Sequence, residues 1–289
     1  MTFIPTKRMT VPAMVGVHRG VPFRDYASWD ALNASTITRF LASSKAGAWY
    51  LQGEPDEPTA AMLFGSALHA RILEPDDYKA RAMQTELGKT ADVGHRKLAE
   101  QHPDAIILRD GWGETIETIA GELYAHPRAA KILGEADAHR ELTIVWNEKI
   151  KYNGEVVEVP CKARLDFYSA AMQAVIDIKK LRKDAGLPDS FSKAIWNYGY
   201  HIQAAWYARA AQKAGLCEKR PDYAWICVEE TPPHEIDLYQ ADDAMMRRGW
   251  ADCKTGLYAY ARYRITGEAR GRSNSVQEIS LPAWAGREE

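Results

Sequence analysis

Between Val156 and Phe167 the chain repeats with a period of two. Val157, Val159, Cys161, Ala163, Leu165 and Phe167 fall on one parity, and Glu158, Pro160, Lys162, Arg164 and Asp166 share the other with Val156. That alternation is the signature of a half-buried β-strand, because successive strand side chains point to opposite faces. Asn153-Gly154 just upstream is a hairpin-turn dipeptide, both of whose residues accept positive φ, so a partner strand is expected over Glu141–Trp146. A third strand follows over Gln173–Leu181. The chain is therefore committed to a three-strand meander around which the remaining elements must be arranged.

Those elements are mostly helical. Residues 1–30 read as an extended arm. Asn33-Ala34-Ser35 supplies an N-cap for a helix from Thr36 towards Tyr50, and Gln52-Gly-Glu-Pro-Asp-Glu-Pro reads as a loop. Further helices are expected over Thr59–Leu73 and Trp112–Leu133, with no assignment for the polar stretch 76–110. After the meander come a helix over Phe191–Ala214, a strand over Tyr223–Glu229 and a helix over Met245–Tyr263. The order predicts an α/β fold, a mixed central β-sheet flanked by helices. The aromatics Trp196, Tyr198, Tyr200 and Trp206 are assigned to the core.

Composition excludes more than it identifies. No window approaches a membrane-spanning apolar run, and the N-terminal stretch, broken by Pro5, Pro12 and charges, lacks a secretory apolar region. A cytoplasmic protein with no membrane partner is expected. Cys161, Cys217, Cys227 and Cys253 lack the paired spacing of a zinc or redox motif and read as reduced, structural thiols. The net charge of −2 does not announce a nucleic-acid binder, although a local basic surface can serve an acidic protein.

The chemistry concentrates in the meander. Asp166 ends the second strand on its polar face, and Asp177 and Lys179 share one face of the third, with Ile178 on the other. If those strands are antiparallel neighbours, the two carboxylates approach each other and need a cation between them. A hard divalent ion, Mg²⁺ or Mn²⁺, suits such oxygen ligands. Lys179 beside it would act on the attacking water or stabilise charge on a phosphate. By spacing alone, a surface hairpin with scattered charges remains open, because acid-x-Lys is a very common pattern.

Lys162-Ala-Arg-Leu-Asp166, a ten-residue gap and Asp177-Ile-Lys179 resemble the core motif of PD-(D/E)XK nucleases, and more narrowly the RecB-like branch and RecE-type phage exonucleases. Phe64-Gly-Ser-Ala-Leu-His69 resembles that branch's Gly-x-x-x-His helix, and Gln203-Ala-Ala-Trp-Tyr207 its Gln-x-x-x-Tyr helix. Glu141 stands where the family often has an additional acidic residue, and the Asn33–Leu41 segment resembles the start of RecE-like domains. The resemblance spans about residues 33 to 210 and adds little over the last eighty.

The resemblance implies a restriction-endonuclease-like core, with residues 31–289 as one nuclease domain. It implies Mg²⁺, with Mn²⁺ able to substitute, held by Asp166, Asp177, the Ile178 carbonyl, His69 and Glu141. Gln203 and Tyr207, one turn apart on a helix face, would join Lys179 at the site. Arg164, Lys180, Arg182, Lys183 and Lys193 are the candidates for holding phosphates. The implied activity is exonuclease action on double-stranded DNA ends, with a single-strand annealing protein and a homo-oligomeric ring as family-type partners. A structure-specific or single-strand endonuclease of the same fold, and a non-catalytic DNA-binding protein, remain open.

Overall fold

The computed structural model describes residues 15–52, 58–88 and 90–281. A short strand β1 (Gly16–His18) and helix α1 (Phe23–Ser28) precede α2 (Ala34–Ala42), α3 (Ser44–Gln52) and α4 (Ala60–Leu73). Next come α5 (Pro75–Arg81), β2 (Ala82–Gln84), α6 (Asp92–Gln101), β3 (Ile106–Leu108), α7 (Trp112–Ala125) and α8 (Pro127–Leu133). The meander is β4 (His139–Tyr152), β5 (Glu155–Ser169) and β6 (Ala174–Leu181). Helices α9 (Pro188–Asn197) and α10 (Tyr200–Lys213), strands β7 (Asp222–Glu229) and β8 (Ile236–Gln240), and helix α11 (Asp243–Thr266) complete the chain.

Six strands form one mixed sheet in the order β1-β4-β5-β6-β7-β8, and β2 and β3 pair separately. The β4–β5 hairpin turns at Asn153 and Gly154, whose φ values of 47° and 87° are those the dipeptide was expected to adopt. After β6 the chain crosses over through α9 and α10 and returns as β7, parallel to β6 along its whole length. This crossover explains why β7, and β6 over Ala174–Ile176, are apolar on both parities: each is covered on both faces. Val175, Tyr223, Trp225 and Cys227 face α2, α10 and α11 in one core, where the fully buried Trp146 and Trp206 lie 5.0 Å apart. Ile176, Ile178, Ile226 and Val228 face α4 and α7 in the other.

Three expected helices are each two. Ser43 leaves helical geometry between α2 and α3, and its Oγ accepts the Ala46 N–H to start the second. Pro127 cannot continue α7, and His126 Nδ1 caps α8 by accepting the Ala129 N–H. Gly199, at φ 70°, separates α9 from α10. Of the segment read as an extended arm, residues 1–14 lie outside the described residues; from Gly16 it forms β1 against β4, then α1. Lys162 ties α1 down, its buried ammonium donating to the carbonyls of Tyr26 at 2.7 Å and Trp29 at 2.8 Å.

Residues 222–266, to which no functional role was assigned from sequence, finish the core. Helix α11 lies so close to α10 that a Cβ on Gly249 would sit 2.0 Å from the His201 carbonyl oxygen. Only a residue without a side chain fits there. All four cysteines are free and buried, as their spacing suggested. Among the described residues no helix is long and apolar enough to cross a membrane.

Candidate active site

The site forms where the sheet stops pairing. β4 and β5 are in register from His139↔Tyr168 to Tyr152↔Glu155 except at one pair, Glu141 opposite Asp166. Glu141 has φ 48°, a left-handed conformation costing of order 1–3 kcal/mol in a residue with a side chain. The inside–outside alternation reverses across this break. Leu165 and Leu142 face the α10–α11 core, but Phe167 turns to the α4–α7 core, with the Arg140 guanidinium over its ring. The sequence alternation placed Phe167 with Leu165; one unpaired position puts it on the other side.

β5 and β6 are antiparallel neighbours as expected, but they pair only over Phe167↔Ile176, Tyr168↔Val175 and Ser169↔Ala174. The next pair would set Asp166 against Asp177. Instead Asp166 Oδ2 accepts the Ile178 N–H at 2.9 Å, so a carboxylate replaces the missing strand backbone. His69, from α4, donates through Nε2 to the Ile178 carbonyl at 2.9 Å, while its Nδ1 lies 3.5 Å from Asp166 Oδ2. His69, Glu141 and Asp166 each bring a ligand atom within 4.8 Å of the others, a grouping able to hold a metal ion. Glu141 also pairs with Arg164, whose guanidinium donates to the Val21 carbonyl.

Asp177 and Lys179 lie on the face of β6 opposite the Ile178 side chain, and Asp177 is not one of the three residues of the His69–Glu141–Asp166 grouping. Lys179 Nζ is 2.7 Å from Asp177 Oδ2 and donates to Gln203 Oε1 at 3.0 Å; Gln203 Nε2 donates to Asp177 Oδ1 at 3.1 Å. The three side chains close a ring, with Gln203 brought in by α10. Asp177 is only 1% exposed, and its Oδ2 faces the lysine without hydrogen-bond alignment. Tyr207, one turn along α10, is partly buried beside this ring.

The electrostatics follow from this crowding. Burial pushes the Asp166 carboxyl up to about 7; Asp177 and Glu141 add to the rise, and His69 and Lys179 oppose it. For Lys179, burial favours the neutral amine, but the Asp177 and Asp166 charges outweigh it and hold the ammonium above its ordinary value. Burial, then the nearby charges of Asp166 and Asp177, raise the Tyr207 phenol well above its usual range. At neutral pH Lys179 and Tyr207 are therefore protonated and available as hydrogen-bond donors.

The basic candidates divide. Arg182, Lys183 and Lys193 are exposed. Lys180 is paired with Glu230 and lies over the Phe64 ring, and Arg164 is held by Glu141 and Val21. Of the aromatics assigned to the core, Trp206 is there, but Trp196 is 59% and Tyr198 71% exposed. Tyr200 is a site residue that sequence reasoning missed: its ring lies 4.5 Å from Lys179 Nζ. An aromatic immediately after a helix-breaking glycine was the available signal.

A meander carrying Asp166 and Asp-x-Lys, a parallel crossover strand and helices on both faces define a PD-(D/E)XK-like fold. The family described as PDDEXK-like domain of unknown function, DUF3799, is matched across residues 33–280, and the chain belongs to it. Among solved structures it is similar to a candidate exonuclease of Eubacterium rectale, with TM-score 0.56 and 14% identity over 89% of this chain and 92% of that one. It is also similar to a phage-related exonuclease of Haemophilus somnus, with TM-score 0.33 and 12% identity over 82% of this chain and 96% of that one. At 14% identity the first likeness speaks for the fold alone. No curated protein matches the chain.

Proposed function

We propose that residues 31–289 form a single nuclease domain that hydrolyses DNA phosphodiester bonds from duplex ends with Mg²⁺, for which Mn²⁺ can substitute. One observation carries the reading. His69, Glu141, Asp166 and the Ile178 carbonyl converge from four elements at the break in the sheet, and the charges of Asp177 and Lys179, ringed by Gln203, act directly on Asp166.

The residues fit a hard divalent cation. The donors are carboxylate and carbonyl oxygens with one imidazole, the set such ions take. The Asp166 carboxyl is buried beside two further carboxylates, Asp177 and Glu141, a concentration of negative charge that a cation offsets. His69, Glu141, Asp166, Asp177 and the Ile178 carbonyl would hold the ion, which supplies Lewis-acid polarisation of the phosphate and neutralises its charge. Lys179, kept protonated, places a positive donor where charge grows on a phosphoryl oxygen. Gln203 fixes that ammonium against Asp177, and Tyr207 offers a second donor from the same helix face. Arg182, Lys183 and Lys193 supply exposed positive charge for the DNA backbone. Resemblance to RecE-type enzymes extends the proposal to a cytoplasmic location, an annealing-protein partner and a ring-shaped oligomer.

The test is a time course on linear duplex and covalently closed circles of one sequence, with Mg²⁺ and with EDTA. Progressive loss of the linear form alone, abolished by EDTA, is expected. Rapid cutting of the closed circle would replace the reading with an endonuclease of the same fold. DNA binding without any cleavage would leave a non-catalytic binding protein.

A further inference from the structure

Tyr198 is exposed at a place where the backbone is firmly held. Its N–H closes the last turn of α9 on the Ala194 carbonyl at 2.9 Å, and Gly199 behind it is fixed at φ 70°. Tyr200 is the one ring packed against it among the described residues, with centroids 5.7 Å apart and planes inclined by 32°. On the inner side, Tyr200 carries the Lys179 ammonium over its own face at 4.5 Å. A run of π-surface thus leads from the candidate catalytic lysine, through one tyrosine, to a second that meets solvent. Helix α9 carries an exposed Lys193 one turn before Trp196, whereas Arg248, over the Trp196 ring at 5.2 Å, is already paired with Asp252 at 2.8 Å.

An exposed aromatic face on a rigid backbone, leading to a buried ammonium, is an arrangement that single-stranded nucleic acids recognise. Bases stack on the ring and phosphates meet the cations. We propose that Tyr198 is a nucleobase-stacking residue, receiving an unpaired base of the DNA strand whose phosphate lies at Lys179. The proposal rests on the nuclease reading above and names the part of the substrate that this edge of the site holds. Every base has a π-face, so the contact is indifferent to sequence, in keeping with a site whose other substrate contacts are cations suited to phosphates. Stacking also gives the strand end a fixed position two rings from the ammonium, where charge builds during cleavage.

The experiment measures anisotropy of a labelled oligothymidylate and of an abasic oligonucleotide of equal length, with Ca²⁺ in place of Mg²⁺ to suppress cleavage. Tyr198→Ala is expected to weaken oligothymidylate binding about 10-fold, and Tyr198→Phe, which keeps the ring, to bind as the wild type does. The abasic strand should bind wild type and Tyr198→Ala equally. Unchanged oligothymidylate binding by Tyr198→Ala would overturn the proposal, as would an equal loss on the abasic strand, which would make the tyrosine a backbone contact. A parallel digestion of linear duplex by wild type with Mg²⁺ separates the two ideas. Cleavage with no Tyr198 effect defeats stacking alone, whereas neither cleavage nor DNA binding defeats both.

Discussion

Metal affinity should depend on pH through Asp166. Burial, with Asp177 and Glu141 beside it, raises this carboxyl to about 7, so proton and cation compete for the same oxygens. In the metal-free protein the sign is clear. The folded-state pKa lies above the unfolded value, so the stabilising contribution of the protonated form is complete below the unfolded pKa and is lost as pH rises through about 7. The cation reverses this by favouring the ionised form. With a pKa near 7, about a tenth of the carboxyl is ionised at about pH 6 and about nine-tenths at about pH 8. Apparent affinity should therefore rise about 10-fold across that interval, or about 1.4 kcal/mol. Titration calorimetry with Mn²⁺ in buffers of differing ionisation enthalpy reads both the affinity and the protons released. Release should approach one proton at the acid end and fall to about a tenth at the alkaline end. Asp166→Asn should bind weakly at both and lose the slope. A wild-type affinity flat across the interval, with no proton release, would refute the argument that Asp166 is a ligand held in deficit of positive charge.

Lys179→Ala should still bind Mn²⁺ and DNA but cleave at least ~100-fold slower, since an ammonium assists by charge and not by ligation; single-turnover kinetics checks this. Asp177→Ala should lose both metal binding and cleavage, and unchanged metal affinity in calorimetry would remove Asp177 from the site. Neutralising Arg182 and Lys183 should flatten log K against log salt by about 0.9 per lost phosphate contact. Lys180, already paired with Glu230, should contribute less to the slope than either. Gly249→Ala must move α11 off the His201 carbonyl, and its Tm should fall by about 4–8 °C in calorimetry, the scale of roughly 2 kcal/mol of overpacking.

How much of this was legible depends on whether the signal was local. The Asn153-Gly154 turn and the alternation of Val157 to Leu165 encode the hairpin within their own few residues, and β4 and β5 follow it closely. The spacing of Asp166, Asp177 and Lys179 was readable because neighbouring antiparallel strands convert sequence separation into proximity. Helix breaks at Ser43, Pro127 and Gly199 were visible as residue types but were overruled by longer apolar periodicity. β8 was missed because Ile236–Gln240 is a short edge strand, half-buried up to an exposed Gln240, with too few residues to show a period. The fate of the lysines was illegible in principle. Lys162 holds carbonyls of α1, which comes from a segment more than a hundred residues away, and no local pattern separates it from the exposed Lys183.

The break at Glu141 and Asp166 links these two kinds of information. A continuous ladder would leave each carboxylate on a flat sheet face, directly opposite or diagonal to another, with a repulsion that pairing cannot relieve. Omitting that pair costs the left-handed backbone at Glu141, and at the same point the β5–β6 ladder ends, which leaves the Ile178 N–H and carbonyl unpaired by β5. Those groups are taken by Asp166 and His69, and the carboxylates then converge with the imidazole on one side of the sheet. The same step turns Phe167 into the α4–α7 core, which packs the helix that delivers His69. The alternation fails at Asp166 because that residue ends a pairing register and begins a site, and a break in period beside two carboxylates is the feature by which such a site can be sought in other sequences.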